Sequence, residues 1–227
     1  MLIAIPDAMP PNEALALGRA IEAANWVDGN VTSGAGASLA KRNRQLPENG
    51  SAAMRARAMV QQALSQCELF LSAALPHAIY PPLFNRYETG DGFGDHVDNA
   101  IRVDPTTAAQ MRTDLSATLF LTDPGEFDGG ELVIQGPFGS ASYKLPAGHM
   151  LLYPSTSVHH VTQVTRGTRI SSFFWIESLV RENEAREILF ELDQSIQHLT
   201  VDRSGNDSEV IRLTQIYHNL VRRWAKL

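Results

Sequence analysis

The sequence predicts an α+β fold in which a β-rich core lies between two helical regions. Between residues 79 and 178, glycines and prolines recur at short intervals, and β-branched and aromatic residues fill the runs between them. Many short strands with frequent turns are typical of a β-sandwich or barrel. On both sides of this segment, apolar residues recur at helical spacing instead. We therefore expect an N-terminal helical support region at 1–78, a β core at 79–178 and a C-terminal helical region at 179–227.

Composition limits the class of protein. The chain has 227 residues, 44% hydrophobic and 19% charged, which suits one domain with helical additions. A net charge of −6 argues against nucleic-acid binding, which needs a basic face. The single cysteine, Cys67, excludes an intrachain disulfide and a cysteine-based zinc site. We see no signal peptide and no apolar run of roughly 18 residues, so we expect a cytoplasmic protein without a membrane span.

The N-terminal region is expected to begin with a short strand at 1–6, followed by a helix at 12–26 and a turn at 28–30. A second helix is predicted from an apolar stripe that runs from Val60 through Cys67 to Leu75 and ends at Pro76. Cys67 then acts as a small buried hydrophobe. Residues 33–50 contain a basic cluster at 41–44 and form either a solvated loop or a lid that offers positive charge to an anionic substrate.

The β core is predicted to contain strands at 115–121, 131–134, 150–153, 158–164 and 168–177. Asp128-Gly129-Gly130 is typical of a hairpin turn between two such strands. The last run carries apolar residues at both parities, so both of its faces should be covered. Arg169 at its start would face the interior, where a cation needs an anionic partner.

The C-terminal region shows two helical stripes that are separated by a polar break at 202–207. The first contains Ile188, Leu192, Ile196 and Leu199, and the second contains Val210, Leu213, Tyr217, Leu220 and Trp224. Such faces usually pack on the β core, and the alternative is a dimer seam that would make a homo-oligomer.

Metal-binding chemistry is predicted by His96-x-Asp98, because residues two apart at a strand end face the same side. A distant histidine, His159 or His160, would complete two histidines and a carboxylate, the ligand set of non-haem Fe(II) oxygen chemistry. Spacing alone does not choose between the two. Arg169 follows His159 by ten residues, and if Gly167 turns between two adjacent antiparallel strands, both side chains could face one cavity. Arginine suits the far carboxylate of a bidentate 2-oxo acid such as 2-oxoglutarate.

The extended pattern resembles the Fe(II)- and 2-oxoglutarate-dependent dioxygenases of the prolyl 4-hydroxylase superfamily. It is most similar to the bacterial PKHD-type hydroxylases, a group associated with iron uptake. The similar segments cover nearly the whole chain and are FNRY at 84–87, GDHVDNA at 94–100, RTDLSATLFL at 112–121, DGGEL at 128–132, YPSTSVH at 153–159, VTRGTR at 164–169 and IYHNL at 216–220.

The resemblance implies a double-stranded β-helix, or jelly roll, as the catalytic core with flanking helices. It implies that His96, Asp98 and His159 bind Fe(II), and that Arg169 anchors 2-oxoglutarate. O2 would be the other cosubstrate and ascorbate a reductant, with no catalytic residue beyond the metal ligands. Tyr87 is a weaker candidate for a hydrogen bond to the cosubstrate; like Tyr153, it could instead be a core aromatic. The implied reaction is hydroxylation of an unidentified substrate, with a link to iron homeostasis.

Two departures and two alternatives accompany this interpretation. The family usually has arginine where this chain has His160 and aspartate where it has His149; we favour a surface or packing role for His160 over one beside the metal ligands.

A non-catalytic jelly-roll protein that senses iron is the alternative function, and Arg169 argues against it because a sensor needs no dicarboxylate anchor. Nucleic-acid repair by a related dioxygenase is disfavoured by the acidic charge.

Overall fold

The structure is a computed structural model that describes residues 1–32, 41–104 and 107–226. The strands are β1 Ile3–Ile5, β2 Val27–Asp28, β3 Lys41–Arg42, β4 Arg44–Gln45, β5 Pro76–Ile79, β6 Leu83–Tyr87, β7 Gly92–His96, β8 Ile101–Val103, β9 Gln110–Arg112, β10 Leu115–Phe120, β11 Leu132–Gly136, β12 Gly139–Tyr143, β13 Met150–Pro154, β14 His159–Val161 and β15 Arg169–Ser178. The helices are α1 Pro11–Glu22, α2 Ser51–Gln66, α3 Glu68–Ala74, α4 Asn183–Arg203 and α5 Ser208–Trp224, with a 3₁₀ turn at Gly29–Thr32.

Two antiparallel sheets form the core, and together they are a jelly roll. The large sheet has the strand order β1-β13-β10-β15-β6-β4-β2, with β5 also paired to β15. The small sheet has the order β12-β11-β14-β7-β3, and β8 and β9 form a separate hairpin. Buried side chains of both sheets, such as Tyr87 and Leu132, share one apolar cluster, so the two sheets pack on each other. The predicted α+β jelly roll is confirmed.

The strand β10 shows why the large sheet is apolar on both faces, because all six of its residues are buried. Leu115 and Leu119 belong to the main core cluster, which also contains side chains of α1 and α2. Phe120 belongs to the cluster that the two sheets share, because successive side chains of a strand point to opposite faces. Helices therefore cover one face of the large sheet, and the small sheet covers the other.

The N-terminal region contributes strands as well as helices. The short strand expected at 1–6 is β1, which pairs with β13, and β3 and β4 extend the two sheets. The basic cluster at 41–44 therefore lies mostly in strands, which corrects the loop prediction there, whereas 33–40 lies outside the described residues. The division at 78 and 178 stays a prediction.

Three local expectations need correction. The first helix ends at Glu22 rather than at 26. The second is two helices, because Cys67 has extended backbone angles between α2 and α3. Asp128-Gly129-Gly130 is not a hairpin turn, since β10 and β11 belong to different sheets. Both glycines have positive φ, and a Cβ at Gly129 would lie 2.0 Å from the Gln163 carbonyl oxygen, so this crossover requires glycine.

The C-terminal helices pack within the chain. Tyr217, Leu220 and Trp224 of α5 contact a cluster that includes Val180 and Leu189. Asp207 caps α5 by accepting backbone hydrogen bonds at its first turn. The homo-oligomer through these helices stays a prediction. No helix in the described part of the chain is long and apolar enough to cross a membrane.

Candidate metal centre

The paired strands β7 and β14 bring two histidines together. His96 is the last residue of β7 and lies opposite His159, the first residue of β14. Asp98 follows two residues after His96, and its Oδ2 is 3.8 Å from His159 Nε2. One potential ligand atom from each of the three side chains lies within 4.8 Å of the other two. The three residues that the resemblance singles out therefore lie close together, although His96 and His159 are 63 residues apart in the sequence.

Backbone carbonyls fix the orientation of both imidazole rings. Nδ1 of His96 lies 2.9 Å from the Gly94 carbonyl oxygen, and Nδ1 of His159 lies 3.0 Å from the Ser157 carbonyl oxygen. Since a carbonyl oxygen can only accept, each Nδ1 carries the proton and donates it. The lone pair of each Nε2 is then available to a metal.

Burial and hydrogen bonding favour metal binding by the three side chains. Burial, followed by the neighbouring His159, lowers the pKa of His96 to about 4, so this ring is neutral at neutral pH. Asp98 Oδ2 accepts a hydrogen bond from Ser116 Oγ at 2.6 Å, and this hydroxyl also bonds Ser155 Oγ at 2.8 Å. Two imidazoles with oriented rings and one oriented carboxylate fit a divalent metal such as Fe(II).

Arg169 is the second feature of the site. It is 1% exposed, and its Nη1 donates to Ser171 Oγ at 2.8 Å, while that hydroxyl donates to Asn85 Oδ1 at 2.5 Å. Its Nε has no hydrogen-bond partner, and no carboxylate of the described residues lies within 4.0 Å of its guanidinium. Burial lowers the pKa of Arg169, although arginine stays protonated. A buried cation without an anionic partner is costly, and a bound carboxylate would offset that cost.

Arg169 and the three potential ligands line one cavity between the sheets. The sequence analysis expected His159 and Arg169 on adjacent antiparallel strands. This expectation is wrong, because β14 and β15 belong to opposite sheets. Gly167 turns the chain from one sheet to the other with φ +76°, and a Cβ there would lie 2.1 Å from the Glu126 carbonyl oxygen. The side chains of His159 and Arg169 therefore enter the cavity from opposite sheets.

The two candidate tyrosines also line this cavity. Tyr87 pairs in register with Arg169, whose guanidinium carbon lies 5.2 Å from the tyrosine ring centroid. The Tyr153 ring lies 5.1 Å from the His159 ring. Burial raises the pKa of both phenols, so each hydroxyl stays protonated and able to donate. Both tyrosines belong to the shared apolar cluster, so each combines core packing with a place beside the site.

His160 and His149 lie away from the site. The Nδ1 of His160 is 2.6 Å from Asp95 Oδ1, a contact between neighbouring strands outside the cavity. His149 Nδ1 lies 3.8 Å from Asp7. Of the two neighbouring histidines on β14, only His159 lines the cavity, because successive strand residues face opposite sides.

Three further cavity residues escaped prediction from the sequence: Ser116, Lys41 and Arg102. Lys41 belongs to the basic cluster at 41–44, where solvated charge is expected, yet it is buried and its Nζ donates to the Gly29 carbonyl oxygen at 2.7 Å. Ser116 gave no signal, because a serine in an apolar strand is common. Arg102 had one signal, since it interrupts the apolar pair Ile101 and Val103 in β8.

A jelly roll with this donor set and a buried arginine defines a class, the Fe(II)- and 2-oxoglutarate-dependent oxygenases. Residues 82–177 match the 2OG-Fe(II) oxygenase superfamily, and residues 183–226 match the PKHD-type hydroxylase C-terminal domain. A PKHD-type hydroxylase of Methylobacillus flagellatus is 54% identical over 99% of both chains, and one of Xanthomonas campestris is equally similar over 99% of both. The chain belongs to the PKHD-type hydroxylase family.

The fold is also found in solved structures. A prolyl-4-hydroxylase of Pseudomonas putida superimposes with a TM-score of 0.52 at 19% identity, over 78% of this chain and 92% of that one. This likeness shows the fold alone. Family membership makes the protein an oxidoreductase of the hydroxylase type, and its superfamily uses Fe(II), 2-oxoglutarate and O2. The predicted family, enzyme class and cofactors are confirmed.

Proposed function

We propose that His96, Asp98 and His159 hold Fe(II), that Arg169 binds the far carboxylate of 2-oxoglutarate, and that the enzyme hydroxylates a C–H bond of an organic substrate. One observation carries the proposal: a fully buried arginine without an anionic partner lines the same cavity as the three ligand atoms. A structural arginine would be expected to have a partner in the fold. A dicarboxylate that bridges metal and guanidinium accounts for both features.

The chain's own residues position the reactants. Fe(II) with 2-oxoglutarate and O2 supplies the oxidation, which places one oxygen atom in succinate and one in the substrate hydroxyl, with loss of CO2. The Gly94 and Ser157 carbonyls hold the imidazole tautomers, and Ser116 holds the carboxylate of Asp98. Ser171 and Asn85 orient Arg169. The apolar cluster shared by the sheets limits the access of water to this region.

The iron-sensor alternative gains no support from the site. A sensor requires metal ligands, but it does not require a cation that is buried beside them. Membership of a hydroxylase family and the position of Arg169 both favour the enzyme.

The anaerobic complex tests the proposal. Addition of Fe(II) and 2-oxoglutarate without O2 should give the visible charge-transfer band of the iron chelate. Asp98→Ala should abolish the band because a ligand is lost, and Arg169→Met should shift its appearance to much higher 2-oxoglutarate concentrations. Absence of the band in the wild-type protein contradicts the proposal.

Two matched variants serve as controls. His160→Ala removes the histidine next to His159, and Arg166→Met removes an arginine near Arg169 that is exposed and paired with Asp128. Both should keep the wild-type band. If His160→Ala loses the band, or if Arg166→Met shifts it as far as Arg169→Met does, the roles assigned to His159 and Arg169 are wrong.

We further propose that the activity serves iron homeostasis, as the family resemblance implies. A site that needs Fe(II) to work couples turnover to iron supply. Deletion of the gene should change growth more under iron limitation than under iron excess, and a copy with Asp98→Ala should not restore it. Equal growth of the deletion strain and its parent under both conditions contradicts the link.

A further inference from the structure

Arg102 lies at the opposite end of the cavity from Arg169. Its guanidinium carbon is 3.6 Å from the centroid of the Trp175 ring and 5.3 Å from that of Tyr80. Stacking on aromatic faces holds a guanidinium in one plane and leaves its edge free for a planar anion. Its Nε is buried without a hydrogen-bond partner, and no ion pair to it is found among residues 1–32, 41–104 and 107–226.

The strand that carries Arg102 has its polarity reversed. Ile101 and Val103 are 53% and 55% exposed, whereas Arg102 between them is half-buried and lines the cavity. A strand that served only packing would bury the two aliphatic side chains and expose the arginine. Val97, which lines the same cavity, is also exposed, so an apolar side chain shares this end of the cavity with the cation. The strand therefore turns its charge, and not its aliphatic side chains, toward the cavity.

Lys41 adds a second cation to this end. It lies over the ring of Phe93, with Nζ 5.3 Å from the centroid, and that ring stacks on His96. Burial lowers the pKa of Lys41 to about 8, and the charge of Arg102 contributes to the shift. Two cations in one cavity repel each other, so an anion between them would be favourable.

This end is separate from the cosubstrate anchor. Arg169 and Trp175 are six residues apart on β15 and face the same side, which corresponds to about 20 Å of strand. Trp175 pairs in register with Ser116, whose hydroxyl bonds Asp98, so Asp98 lies level with the Arg102 end of the strand rather than with the Arg169 end. The five-carbon chain of 2-oxoglutarate spans only about 5 Å, at about 1.5 Å per bond. One molecule bound at Arg169 and the metal uses both of its carboxylates there, so neither is left for Arg102.

We propose that Arg102 and Lys41 form a substrate site that binds a carboxylate of the molecule to be hydroxylated. The inference rests on the proposed function, because it takes the Arg169 end to be filled by 2-oxoglutarate. The carboxylate could belong to a small organic acid or to an acidic residue of a peptide. In either case the anion fixes the substrate at the mouth and places a neighbouring C–H bond over the open side of the metal.

Matched acid and amide probes test the charge requirement. Wild-type protein is loaded anaerobically with Fe(II) and saturating 2-oxoglutarate, and binding is measured by calorimetry and by perturbation of the visible band. The first pair is benzoate and benzamide. The second is the blocked peptides acetyl-Gly-Asp-Gly-amide and acetyl-Gly-Asn-Gly-amide. We expect the acid of at least one pair to bind about tenfold or more tightly than its amide, a preference that falls with added salt.

Variants assign the preference to the two cations. Arg102→Gln and Lys41→Met should each reduce it to about threefold or less, whereas Arg102→Lys should keep part of it because the charge is retained. Arg42→Gln is the matched control, since Arg42 is exposed, pairs with Asp91 and does not line the cavity. It should keep the full preference. Thermal unfolding of each variant checks that it is folded.

The outcomes separate the two proposals. A preference in the benzoate pair alone indicates a small acid, and a preference in the peptide pair indicates a peptide carboxylate. Equal binding within both pairs, no binding of either acid up to its solubility limit, or a preference that survives Arg102→Gln overturns the inference. Absence of the chelate band before any probe is added instead overturns the proposed function. Binding of the acid and amide probes can still be measured by calorimetry in that case.

Discussion

The two ends of the cavity use cations in different surroundings. At the inner end, Arg169 is enclosed by the aromatic rings of Tyr87 and Phe120 and is held through Ser171 by neutral hydrogen bonds. At the outer end, Arg102 is half-buried and stacked on the aromatic ring of Trp175. The inner cation belongs to the long strand β15 at the centre of the fold, whereas the outer one belongs to a two-stranded hairpin.

This difference teaches which part of the site can vary. An enclosed arginine with fixed partners suits a ligand of constant size and charge, as a cosubstrate is. A hairpin is attached by fewer contacts, so its residues can change without disturbing the sheets. We infer that the inner end serves the reaction common to the superfamily and that the outer end determines the substrate.

The largest expected effect is at the inner end. Arg169→Met should weaken 2-oxoglutarate binding by about 100-fold or more, because charge-assisted hydrogen bonds to a carboxylate in a buried site are lost. The apo protein should be at least as stable as wild type, since a buried unpaired cation is replaced by an apolar side chain of similar length. Anaerobic titration of the band and thermal unfolding measure the two effects. A loss of binding that is no larger than in Arg102→Met would remove the distinction between the two ends.

A smaller effect on stability is expected at the outer end. Burial lowers the pKa of Lys41 in the folded protein to about 8, from an ordinary value of 10.5, because it penalises the charged form. The penalty is fully present below pH 8 and disappears as pH rises to 10.5. Lys41→Met should therefore raise the free energy of unfolding at pH 7 by about 1–2 kcal/mol. The gain should vanish near pH 10.5, as thermal unfolding at several pH values would show. A gain that does not change with pH contradicts a charge-based cost.

The candidate metal centre gives a third prediction. Ser116→Ala removes the hydroxyl that orients Asp98, and loss of such an outer contact should weaken Fe(II) binding by about tenfold. Metal titration followed by the chelate band measures the change. Ser65→Ala, which removes an exposed hydroxyl bonded only to its own helix, should leave Fe(II) affinity unchanged. Equal iron affinity in Ser116→Ala and wild type would show that Asp98 is oriented without this hydrogen bond.

The smallest expected effect concerns Tyr87. Tyr87→Phe keeps the ring beside Arg169 and removes only the hydroxyl, so a hydrogen bond to 2-oxoglutarate would appear as a loss of affinity of about threefold to tenfold. Titration of the band with 2-oxoglutarate provides the measurement. Unchanged affinity would assign Tyr87 to packing at the inner end.

Local order in the sequence determined the positions of most elements. The runs that begin near residues 115, 150 and 168 are strands because β-branched and aromatic residues fill them between turn residues. The spacing of His96, Asp98, His159 and Arg169, read with the family resemblance, predicted the site residues. The fold brings all four to one cavity, and their roles stay a prediction. The break at Cys67 was missed, because an apolar stripe continues across it even though the backbone there is extended.

Tertiary structure decided which strands are neighbours. The chain around Gly129 and around Gly167 crosses between the sheets, whereas local pattern suggested turns within one sheet. Strand pairing depends on contacts between residues far apart in the chain, and period-2 patterns do not specify the partner. For the same reason, only the fold placed Ser116 against Asp98, and Arg102 and Lys41 at the mouth of the cavity. The sequence by itself predicted a metal centre of two histidines and a carboxylate, because residue type and spacing carry that information, and the packing of two sheets decided what surrounds these residues.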